Sequence, residues 1–370
     1  MGFFSEYKQV NRLLKEKMQV VFYSESRHYY QYFERLIKDL LANNVKITYI
    51  TSDANDPLLN DAPKDLQVFY IKWMLGLLFK KIKADVMVMT MPDLGNFLFK
   101  RSPSVGTYIY MFHAAVSTHQ QYRKEAFNNY DAIFCTGEYQ VNEIRKAEEQ
   151  QGIPLKQKVL IGYGYPLIGA LNNEATNNNN KDKPTILVAP SWFEGCIFDT
   201  CIEELLDQLS KLPYNVVLRS HPEYEKRKEK SFRRIKKMLE KHSSMRIDTE
   251  PDVIKSLPQA DILITDRSGI AFEFAFGTGR PVLFIDTVLK ETNPAWKELN
   301  IEPVENRLRG QLGITVLPEK LNELPGKIKQ LGLFQYGFAD KVKQLAKEIF
   351  FNSEASYQEG LDFILGKSTK

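Results

Sequence analysis

The chain has 370 residues, of which 43% are hydrophobic, 12% aromatic and 26% charged, and this composition excludes disordered, collagen-like and coiled-coil proteins. Fifty Lys and Arg against 46 Asp and Glu leave a formal charge of only +4, so net charge gives no reason to expect a nucleic-acid partner. The three cysteines show no CxxC spacing. Neither a disulfide framework nor a zinc site is indicated, and a cytoplasmic setting is expected.

The chain begins with a segment that predicts a surface helix. Residues 1–17 place Phe3, Phe4 and Tyr7 among lysines and arginines, the pattern of a basic amphipathic helix. Neither a secretory leader nor a stretch of ~20 uncharged apolar residues, as a membrane-spanning helix needs, is recognisable. We therefore expect a protein that is neither exported nor integral to a membrane.

The first half of the chain then alternates between short apolar runs and helical stretches. The predicted strands are 19–23, 45–50, 85–90, 107–112 and 132–135, and the predicted helices are 29–43 and 69–83. Buried runs separated by helices are typical of a parallel sheet covered on both faces. The sequence therefore predicts a Rossmann-like N-terminal domain over residues 1–171.

A polar, asparagine-rich tract over residues 172–183 predicts a linker. Beyond it the alternation restarts, with predicted strands 185–189, 215–219, 262–265 and 281–285, and predicted helices 199–211, 225–242 and 270–276. We expect a second Rossmann-like domain over 184–340 and a C-terminal helical segment over 341–370 that packs back on the first domain. Two doubly wound sheets would face each other across a cleft, with chemistry at the carboxyl ends of their strands.

His113 follows the predicted strand 107–112 directly. An imidazole there suits a general base, because its ordinary pKa near ~6.5 lets it take a proton from a hydroxyl near neutral pH. The alternative is a structural histidine bonded to a loop carbonyl, and position alone leaves both open.

The turn Arg219-Ser220-His221-Pro222 follows a strand of the second half. Arg219 and His221 offer donors to phosphate oxygens, with Ser220 between them, and the proline stiffens the turn. A solvated arginine beside a helix start is the alternative.

A third turn, Thr265-Asp266-Arg267-Ser268-Gly269, joins a strand to a helix. Small and hydroxyl residues at a helix N-terminus predict an anion site, since free N–H groups meet the positive end of the helix dipole there. A plain helix cap is the alternative, and both can hold. Glu273, one turn into the helix, is either a ligand of ribose hydroxyls or an ordinary first-turn acid.

Two further strand ends are weaker candidates. Gly164 lies in a Gly-Tyr-Gly-Tyr-Pro segment that suggests a hinge with backbone contact to a ligand, and Ser191 stands in Ala-Pro-Ser-Trp, whose Trp192 is either a cover for a base or cleft filling. The sequence pattern indicates no metal-binding cluster.

The order of five segments along the chain resembles the CDP-glycerol glycerophosphotransferase family of teichoic acid and related cell-surface polymer synthesis. These segments are His113, Gly-Tyr-Pro at 164–166, Ala-Pro-Ser-Trp at 189–192, Arg-Ser-His-Pro at 219–222 and the 265–269 turn. The resemblance spans about residues 20–286. It implies a GT-B fold of two facing Rossmann-like domains, the first for the acceptor and the second for the donor nucleotide. It also implies transfer of glycerol phosphate or a similar polyol phosphate from a CDP-activated donor, with release of CMP.

By this resemblance, His113 is the proposed base, His221 a second essential histidine, and residues 266–269 the donor-phosphate loop. Four positions depart from the family pattern: Ala114 where glycine is usual, Gly269 where serine is usual, and Leu167 and Phe193 where arginine is usual. These departures are compatible with a different donor or acceptor.

The resemblance implies two partners, the nucleotide-activated donor and a polymer or lipid-linked acceptor, and no cofactor. A lipid-linked acceptor would bring the protein to the inner face of the cell membrane, where residues 1–17 and 69–83 pair aromatic anchors with lysines as interfacial helices do. Two alternatives stay open: a GT-B glycosyltransferase that uses a nucleotide sugar, and a catalytically silent GT-B scaffold in polymer assembly.

Overall fold

Two parallel β-sheets form the framework of the protein. A computed structural model describes residues 3–96, 99–154, 157–176, 183–333, 337–352 and 354–368. Each sheet alternates with helices along the chain, and its inner strands consist largely of apolar residues that are buried on both faces, as expected for parallel strands flanked by helices.

The first sheet has seven strands among the described residues, in the order β3-β2-β1-β4-β5-β6-β7. The strands are β1 (Met18–Ser24), β2 (Ile47–Thr51), β3 (Leu66–Tyr70), β4 (Ala84–Met89), β5 (Val105–Met111), β6 (Ala132–Cys135) and β7 (Val159–Gly162). β1 lies inside the sheet, where Val20 pairs with Ile47 of β2 and Val86 of β4. The carboxyl end of β5 carries the chain to His113.

The second sheet has six strands within the described ranges, in the order β10-β9-β8-β11-β12-β13. The strands are β8 (Thr185–Val188), β9 (Asn215–Leu218), β10 (Met245–Ile247), β11 (Ile262–Thr265), β12 (Val282–Ile285) and β13 (Gly313–Val316). The strand order reverses between β8 and β11, and loops diverge at such a point to leave a crevice for a ligand.

Helices cover both sheets. Those of the first half are α1 (Phe3–Lys15), α2 (Tyr30–Ala42), α3 (Leu75–Lys81), α4 (Thr118–Gln121), α5 (Glu138–Gln150) and α6 (Pro166–Thr176). Those of the second half are α7 (Ile197–Thr200), α8 (Ile202–Ser210), α9 (Pro222–Arg227), α10 (Glu229–Leu239), α11 (Val253–Ser256), α12 (Ile270–Thr278), α13 (Val304–Leu312), α14 (Leu324–Leu333), α15 (Phe338–Ile349) and α16 (Glu354–Ser368). Short 3₁₀ turns are Arg27–Tyr29, Pro57–Leu59, Leu257–Gln259, Trp296–Leu299 and Pro318–Glu323.

The two halves pack on each other through α6 and α12. Gly277 of α12 lies so close to Leu171 of α6 that an added Cβ would stand 2.6 Å from the leucine Cβ. The absence of a side chain at Gly277 therefore sets the separation of these helices, and with it the width of the cleft.

The C-terminal segment returns to the first sheet. Helix α15 packs against α12, and α16 contacts α2, β4 and β7. Tyr357 of α16 donates a hydrogen bond to Asp39 of α2 at 2.6 Å, and the Arg35 guanidinium stacks 3.6 Å from the Tyr357 ring centroid. Leu361 and Ile364 are buried in the same core as the first sheet.

Several sequence expectations need correction. The stretch 69–83 is not one helix: Phe69 belongs to strand β3, and helix α3 spans only Leu75–Lys81. The predicted helix 225–242 is two helices, α9 and α10, which meet at Lys228. Strands β3, β10 and β13 were not predicted. Helix α6 runs through the first residues of the predicted linker 172–183, and residues 177–182 of it lie outside the described residues.

Candidate active site

Asp266 organises the loops at the reversal of the second sheet. Its buried carboxylate accepts hydrogen bonds from the backbone N–H groups of Ser191 (2.8 Å), Ile197 (3.0 Å) and Arg267 (2.7 Å). Burial raises the pKa of Asp266, and the three donors oppose that shift. Thr265, the residue before, is also buried and donates its hydroxyl to the Ala189 carbonyl at 2.7 Å. Thr265 and Asp266 therefore tie the ends of β8 and β11 together.

Ser268 and Gly269 begin helix α12 at the cleft. Gly269 is the N-terminal cap residue, and the Ser268 Oγ lies 3.5 Å from the Ile270 nitrogen. A Cβ added at Gly269 would stand 3.1 Å from Val116 and 3.7 Å from the Ala114 Cβ, both in the opposite half. Two of the four departures from the family pattern, Ala114 and Gly269, thus face each other across the cleft.

His221 is held at the start of α9 in one orientation. Its Nδ1 accepts a hydrogen bond from the Glu223 backbone N–H at 3.2 Å, and its ring lies 5.7 Å from the Trp192 ring. Because Nδ1 acts as an acceptor, a neutral ring carries its proton on Nε2. Burial lowers the pKa of His221 to about 4, with a further contribution from the Lys290 charge. At neutral pH His221 is therefore an uncharged hydrogen-bond donor.

His113 lies on the other side of the cleft among aromatic rings. Its ring centroid is 5.0 Å from that of Tyr29 and 6.3 Å from that of Tyr32. Burial lowers the pKa of His113 to about 4, the backbone of Thr90 opposes the shift, and the charge of Lys290 adds to it. The next residue, Ala114, has its Cβ 3.7 Å from a Cβ built at Gly269 of α12, so His113 lies beside the cleft between the two halves. An uncharged His113 can accept a proton.

Glu273, which the sequence offered as a ligand of ribose hydroxyls, has little surface exposed to solvent. It is buried, and the Tyr165 hydroxyl donates a hydrogen bond to its Oε1 at 2.7 Å. The same hydroxyl lies 3.1 Å from the His113 carbonyl oxygen. Burial raises the pKa of Glu273. Tyr165 therefore joins His113 to α12, and Glu273 fixes the relative position of the two halves.

The two arginines predicted to hold phosphate are engaged by other protein groups. Arg219 donates to Asp248 at 2.6 Å and to the carbonyls of Glu250 at 2.7 Å and Pro251 at 3.0 Å. Arg267 forms an ion pair with Asp286 at 2.5 Å. Arg219 thus links the end of β9 to the loop after β10, and its contact with a donor phosphate stays a prediction.

The remaining predicted residues lie around this centre. Ser220 donates its hydroxyl to the His221 carbonyl oxygen at 3.3 Å. Gly164 has a φ of +86°, which favours glycine, and packs against Phe351 and Asn352 where the chain returns to the first sheet. Leu167 and Phe193, the other two departures, pack into hydrophobic cores.

Lys290 is the residue that sequence reasoning missed. It lies shortly after β12 and lines the cavity beside Asp266 and Ser268, and its charge acts on both histidines. The strand-end rule that identified His113 and Asp266 applies to β12 as well and points to this loop.

Among the described residues, no group of three or more His, Cys, Asp or Glu side chains is arranged to hold a metal ion.

Comparison with known proteins supplies the family and the fold. The family model of CDP-glycerol:poly(glycerophosphate) glycerophosphotransferase matches residues 5–291. Among solved structures, the wall teichoic acid polymerase TagF aligns with 100% of this chain and 99% of its own, at a TM-score of 0.60 and 16% identity. No curated protein sequence matches.

Two other solved structures share the architecture. A glycosyltransferase from Rickettsia africae ESF-5 covers 95% of this chain and 99% of its own, at a TM-score of 0.54 and 13% identity. HepE from Anabaena, solved in complex with UDP and glucose, covers 94% of this chain and 99% of its own, at a TM-score of 0.52 and 12% identity. At these identities the likeness concerns the fold, two parallel sheets facing each other across a cleft.

Proposed function

Because this chain belongs to the CDP-glycerol:poly(glycerophosphate) glycerophosphotransferase family, we propose that His113 and His221 have different roles in the transfer of a polyol phosphate. The chain is a transferase of that family, and its donor is a CDP-activated polyol phosphate. The observation that supports these different roles is the pair of half-buried histidines on opposite halves of the cleft, each with a pKa that burial lowers to about 4.

His113 acts as the general base of the proposed mechanism. It removes the proton from an acceptor hydroxyl, and the resulting oxygen attacks the β-phosphorus of the donor in line. A new P–O bond forms to the acceptor, the bridging P–O bond breaks, and CMP leaves with the electron pair. The proton stays on the His113 imidazole, which the Tyr29 and Tyr32 rings keep in place. Such a base contributes typically ~10²–10⁴ in rate.

The second half stabilises the charge that develops on the phosphates. The Nε2–H of His221 and the backbone N–H groups at the start of α12 are uncharged donors with fixed directions, so they need no reorganisation during the reaction. Asp266 holds the loops that present them, through its bonds to Ser191, Ile197 and Arg267. Arg219 contributes indirectly, by holding the adjacent loop at Asp248.

A thermal-shift survey of nucleotides tests this function. A ligand that binds only the folded state stabilises it by RT ln(1 + [L]/Kd), about 2.7 kcal/mol at one hundred times Kd. We expect CDP, CMP and CDP-glycerol to raise the melting temperature more than UDP or GDP at equal concentration. Replacement of His221 by Ala should reduce that shift, and replacement of His242, which lies between α10 and β10, should not.

Two results would contradict the proposal. Stabilisation by UDP-sugars alone would favour a glycosyltransferase that attacks an anomeric carbon. No shift with any nucleotide at millimolar concentration, together with no release of CMP from CDP-glycerol, would favour a silent scaffold.

We further propose that the protein works at a membrane surface, through a patch that we call the aromatic-basic patch: Phe4, Tyr7, Trp73 and Leu77. Phe4 and Trp73 are 83% and 74% exposed. Glu6 of α1 accepts hydrogen bonds from the backbone N–H groups of Lys72 (3.1 Å) and Met74 (2.6 Å), so α1 and the start of α3 lie side by side.

The same segments, α1 and residues 72–83 around α3, carry exposed lysines: Lys8, Lys72, Lys80, Lys81 and Lys83. Aromatic side chains beside lysines suit the interface of an anionic bilayer, where rings enter the headgroup region and lysines meet phosphates. Buried Leu75, Leu78 and Phe79 anchor the same helix in the core. No helix of the described residues combines the length and the apolar character needed to span a bilayer. Sedimentation with anionic vesicles tests this proposal.

A further inference from the structure

One segment of the second half concentrates positive charge at the surface. Residues 222–242, which include α9 and α10, have nine Lys and Arg against four Glu, and this excess is larger than the +4 of the whole chain. The apolar side chains Phe232, Ile235 and Leu239 of α10 are buried in the core around the second sheet. These side chains fix which face of α10 is turned to solvent.

A row of basic side chains runs along that outer face. Residues spaced i, i+3, i+4, i+7 and i+11 share one face of a helix. Five exposed residues have this spacing here, and we call them the basic stripe: Lys230, Arg233, Arg234, Lys237 and Lys241. Lys241 lies just past the end of α10. At 1.5 Å per residue the basic stripe is about 16 Å long.

Carboxylates of the protein neutralise only part of the basic stripe. Arg233 forms an ion pair with Glu229 at 2.5 Å, and Arg234 forms one with Glu203 of α8. In the part of the chain that the structure describes, the three lysines of the stripe have no carboxylate oxygen within 4 Å of their ammonium groups. The stripe therefore presents charge that an anion outside the protein can neutralise.

The position of Lys230 is unfavourable for the helix itself. It lies in the first turn of α10, where the positive end of the helix dipole disfavours a cation. Arg233 and Arg234 follow it at i+3 and i+4, the spacings at which like charges repel each other. A helix face that only meets water usually interleaves charges of opposite sign. The pattern of like charges in the stripe favours an anionic partner.

The basic stripe begins close to the proposed reaction centre. Helix α9 starts directly after His221, whose ring lies 5.7 Å from the ring of Trp192. Trp192 is 36% exposed, and the Arg227 guanidinium at the end of α9 lies 5.3 Å from its ring centroid. Lys230 follows at the start of α10. A molecule that extends out of the cleft past Trp192 and Arg227 therefore reaches the stripe next.

The composition of the stripe distinguishes between kinds of anionic partner. Among the described residues, none of the large apolar side chains that are exposed belongs to α10. The stripe thus lacks the aromatic anchors with which a helix enters a bilayer and the rings on which nucleic-acid bases stack. A polyol phosphate chain needs neither, because it is flexible, soluble in water and negatively charged at every repeat.

We propose that the basic stripe binds the polyol phosphate chain that the enzyme extends, at repeats several units away from the reacting end. The inference rests on the proposed function, because a transferase of polyol phosphate has such a chain as its acceptor and product. The donor carries a single polyol phosphate, so a donor bound in the cleft cannot also cover a stripe of this length. Simultaneous binding of several repeats keeps the chain near the active site between transfers.

Fluorescence anisotropy with labelled glycerol phosphate oligomers of three and of twelve repeats, without donor, tests the proposal. We expect the parent protein to bind the longer oligomer more tightly, and to bind it less tightly as salt increases. The double variant Lys230→Gln, Lys237→Gln should bind the twelve-repeat oligomer roughly fivefold more weakly, since exposed charge pairs contribute modestly. The matched double variant Lys343→Gln, Lys347→Gln removes two exposed lysines of α15 and should bind as the parent does.

Thermal unfolding separates a loss of binding from a loss of the fold. Lys230→Gln removes a cation from the first turn of α10 and relieves its repulsion with Arg233 and Arg234. The melting temperature of this variant should therefore equal or exceed that of the parent. Unimpaired stability together with weaker binding of the long oligomer supports the proposal. A lower melting temperature would show that Lys230 has a structural role and overturn its assignment to the stripe.

Other outcomes overturn the proposal in different ways. Equal affinity of the parent for the two oligomers, or equal losses in the two double variants, would mean that α10 holds no extended chain. Weaker binding of phosphatidylglycerol vesicles by the stripe variant, with oligomer binding as in the parent, would assign the stripe to a bilayer.

The release of CMP from CDP-glycerol distinguishes this proposal from the function on which it rests. A protein that releases CMP but shows no preference for the longer oligomer overturns the role of the stripe and leaves the function standing. A protein that releases no CMP but prefers the longer oligomer through Lys230 and Lys237 overturns the function and leaves a surface for anionic chains.

Discussion

At the scale of single residues, the two histidines differ in what their second ring nitrogen does. The Nδ1 of His221 is committed to the Glu223 backbone, which leaves its Nε2 as a donor. His113 lies among tyrosine rings, where an uncharged ring can take up a proton. The first arrangement suits a ligand of the donor, and the second suits a base.

Alanine variants of the two histidines should therefore fail in different ways. We expect His113→Ala to lower turnover by ~10²-fold or more with little change in donor affinity, since it removes only proton transfer. His221→Ala should weaken donor binding as well as turnover. Steady-state rates of CMP release, with donor affinity measured separately, check both. Full activity in His113→Ala would disprove the base assignment.

The low pKa of His113 predicts a particular pH dependence. A base must be uncharged, so kcat/KM for the donor should fall as the pH drops through about 4 and stay level above it. Bound diphosphate is negative and favours the imidazolium form, so the acid limb of kcat should lie at higher pH. Rate profiles of parent and His113→Ala check this, with circular dichroism to establish that the fold persists. An identical acid limb in the variant would assign it to another group.

Much of the site follows from where the strands end. Residue type and strand boundary were enough to predict His113, His221 and the 265–269 turn as candidates, and the structure brings these to one cleft. The acidic partner of each arginine could not be predicted from residue type and strand boundary. Arg219 and Asp248 meet only because β9 and β10 are neighbours in the sheet. Ser117 and Glu305 form a hydrogen bond only because the two halves pack on each other.

At the scale of helices and strands, α16 depends on one glycine for its position. A Cβ added at Gly360 would overlap the Tyr163 ring, with Cε2 only 2.9 Å away. That ring cannot withdraw easily, because it is buried and stacked on Phe134 at 4.8 Å.

Two glycine variants of α16 should consequently change stability in opposite directions. A Cβ added at Gly366 would meet nothing within 4 Å, so Gly366→Ala should stabilise the protein by ~0.5–1 kcal/mol through helix propensity alone. Gly360→Ala gains the same propensity but should lower the melting temperature, because overpacking costs typically ~1–3 kcal/mol. Urea unfolding of both variants and the parent measures the difference. Stabilisation of both by equal amounts would show that Tyr163 yields.

The alternation of apolar runs was sufficient to predict the central strands, and the family resemblance to predict the fold. Both are confirmed: the sheets are parallel, and the whole chain aligns with a TagF structure. The outer strands were missed for a physical reason. β3 and β10 contain exposed positions and lack the continuous apolar run of a strand buried on both faces. The sequence pattern placed Phe69 in a predicted helix because the apolar residues after it have helical spacing.

At the scale of the whole molecule, a net charge of +4 is too small to hold the protein on an anionic surface. We therefore expect vesicle binding to come from a local surface, the aromatic-basic patch. We expect sedimentation with phosphatidylglycerol vesicles at low salt and weaker binding at high salt. Replacing Lys72 and Lys80 by Gln should reduce binding by ~2 kcal/mol, at about 1 kcal/mol per lysine near the surface.

The control for this prediction changes charge equally at another place. Lys230 and Lys237 of α10 are also exposed, and their replacement by Gln should leave vesicle binding as it is in the parent. Equal losses in the two double variants would mean that binding follows overall charge and not the patch. Binding that salt does not weaken would also count against the proposal.

The return of α16 to the first sheet has a consequence for how the chain is made on the ribosome. Strands β4 and β7 emerge early, but the helix that covers them emerges only after all of the second sheet. We expect the nascent chain to carry an uncovered apolar groove at Phe134 and Tyr163 during most of its synthesis. The second unit, though later in the sequence, should thus become protease-resistant before the first, as limited proteolysis of stalled chains of increasing length would reveal.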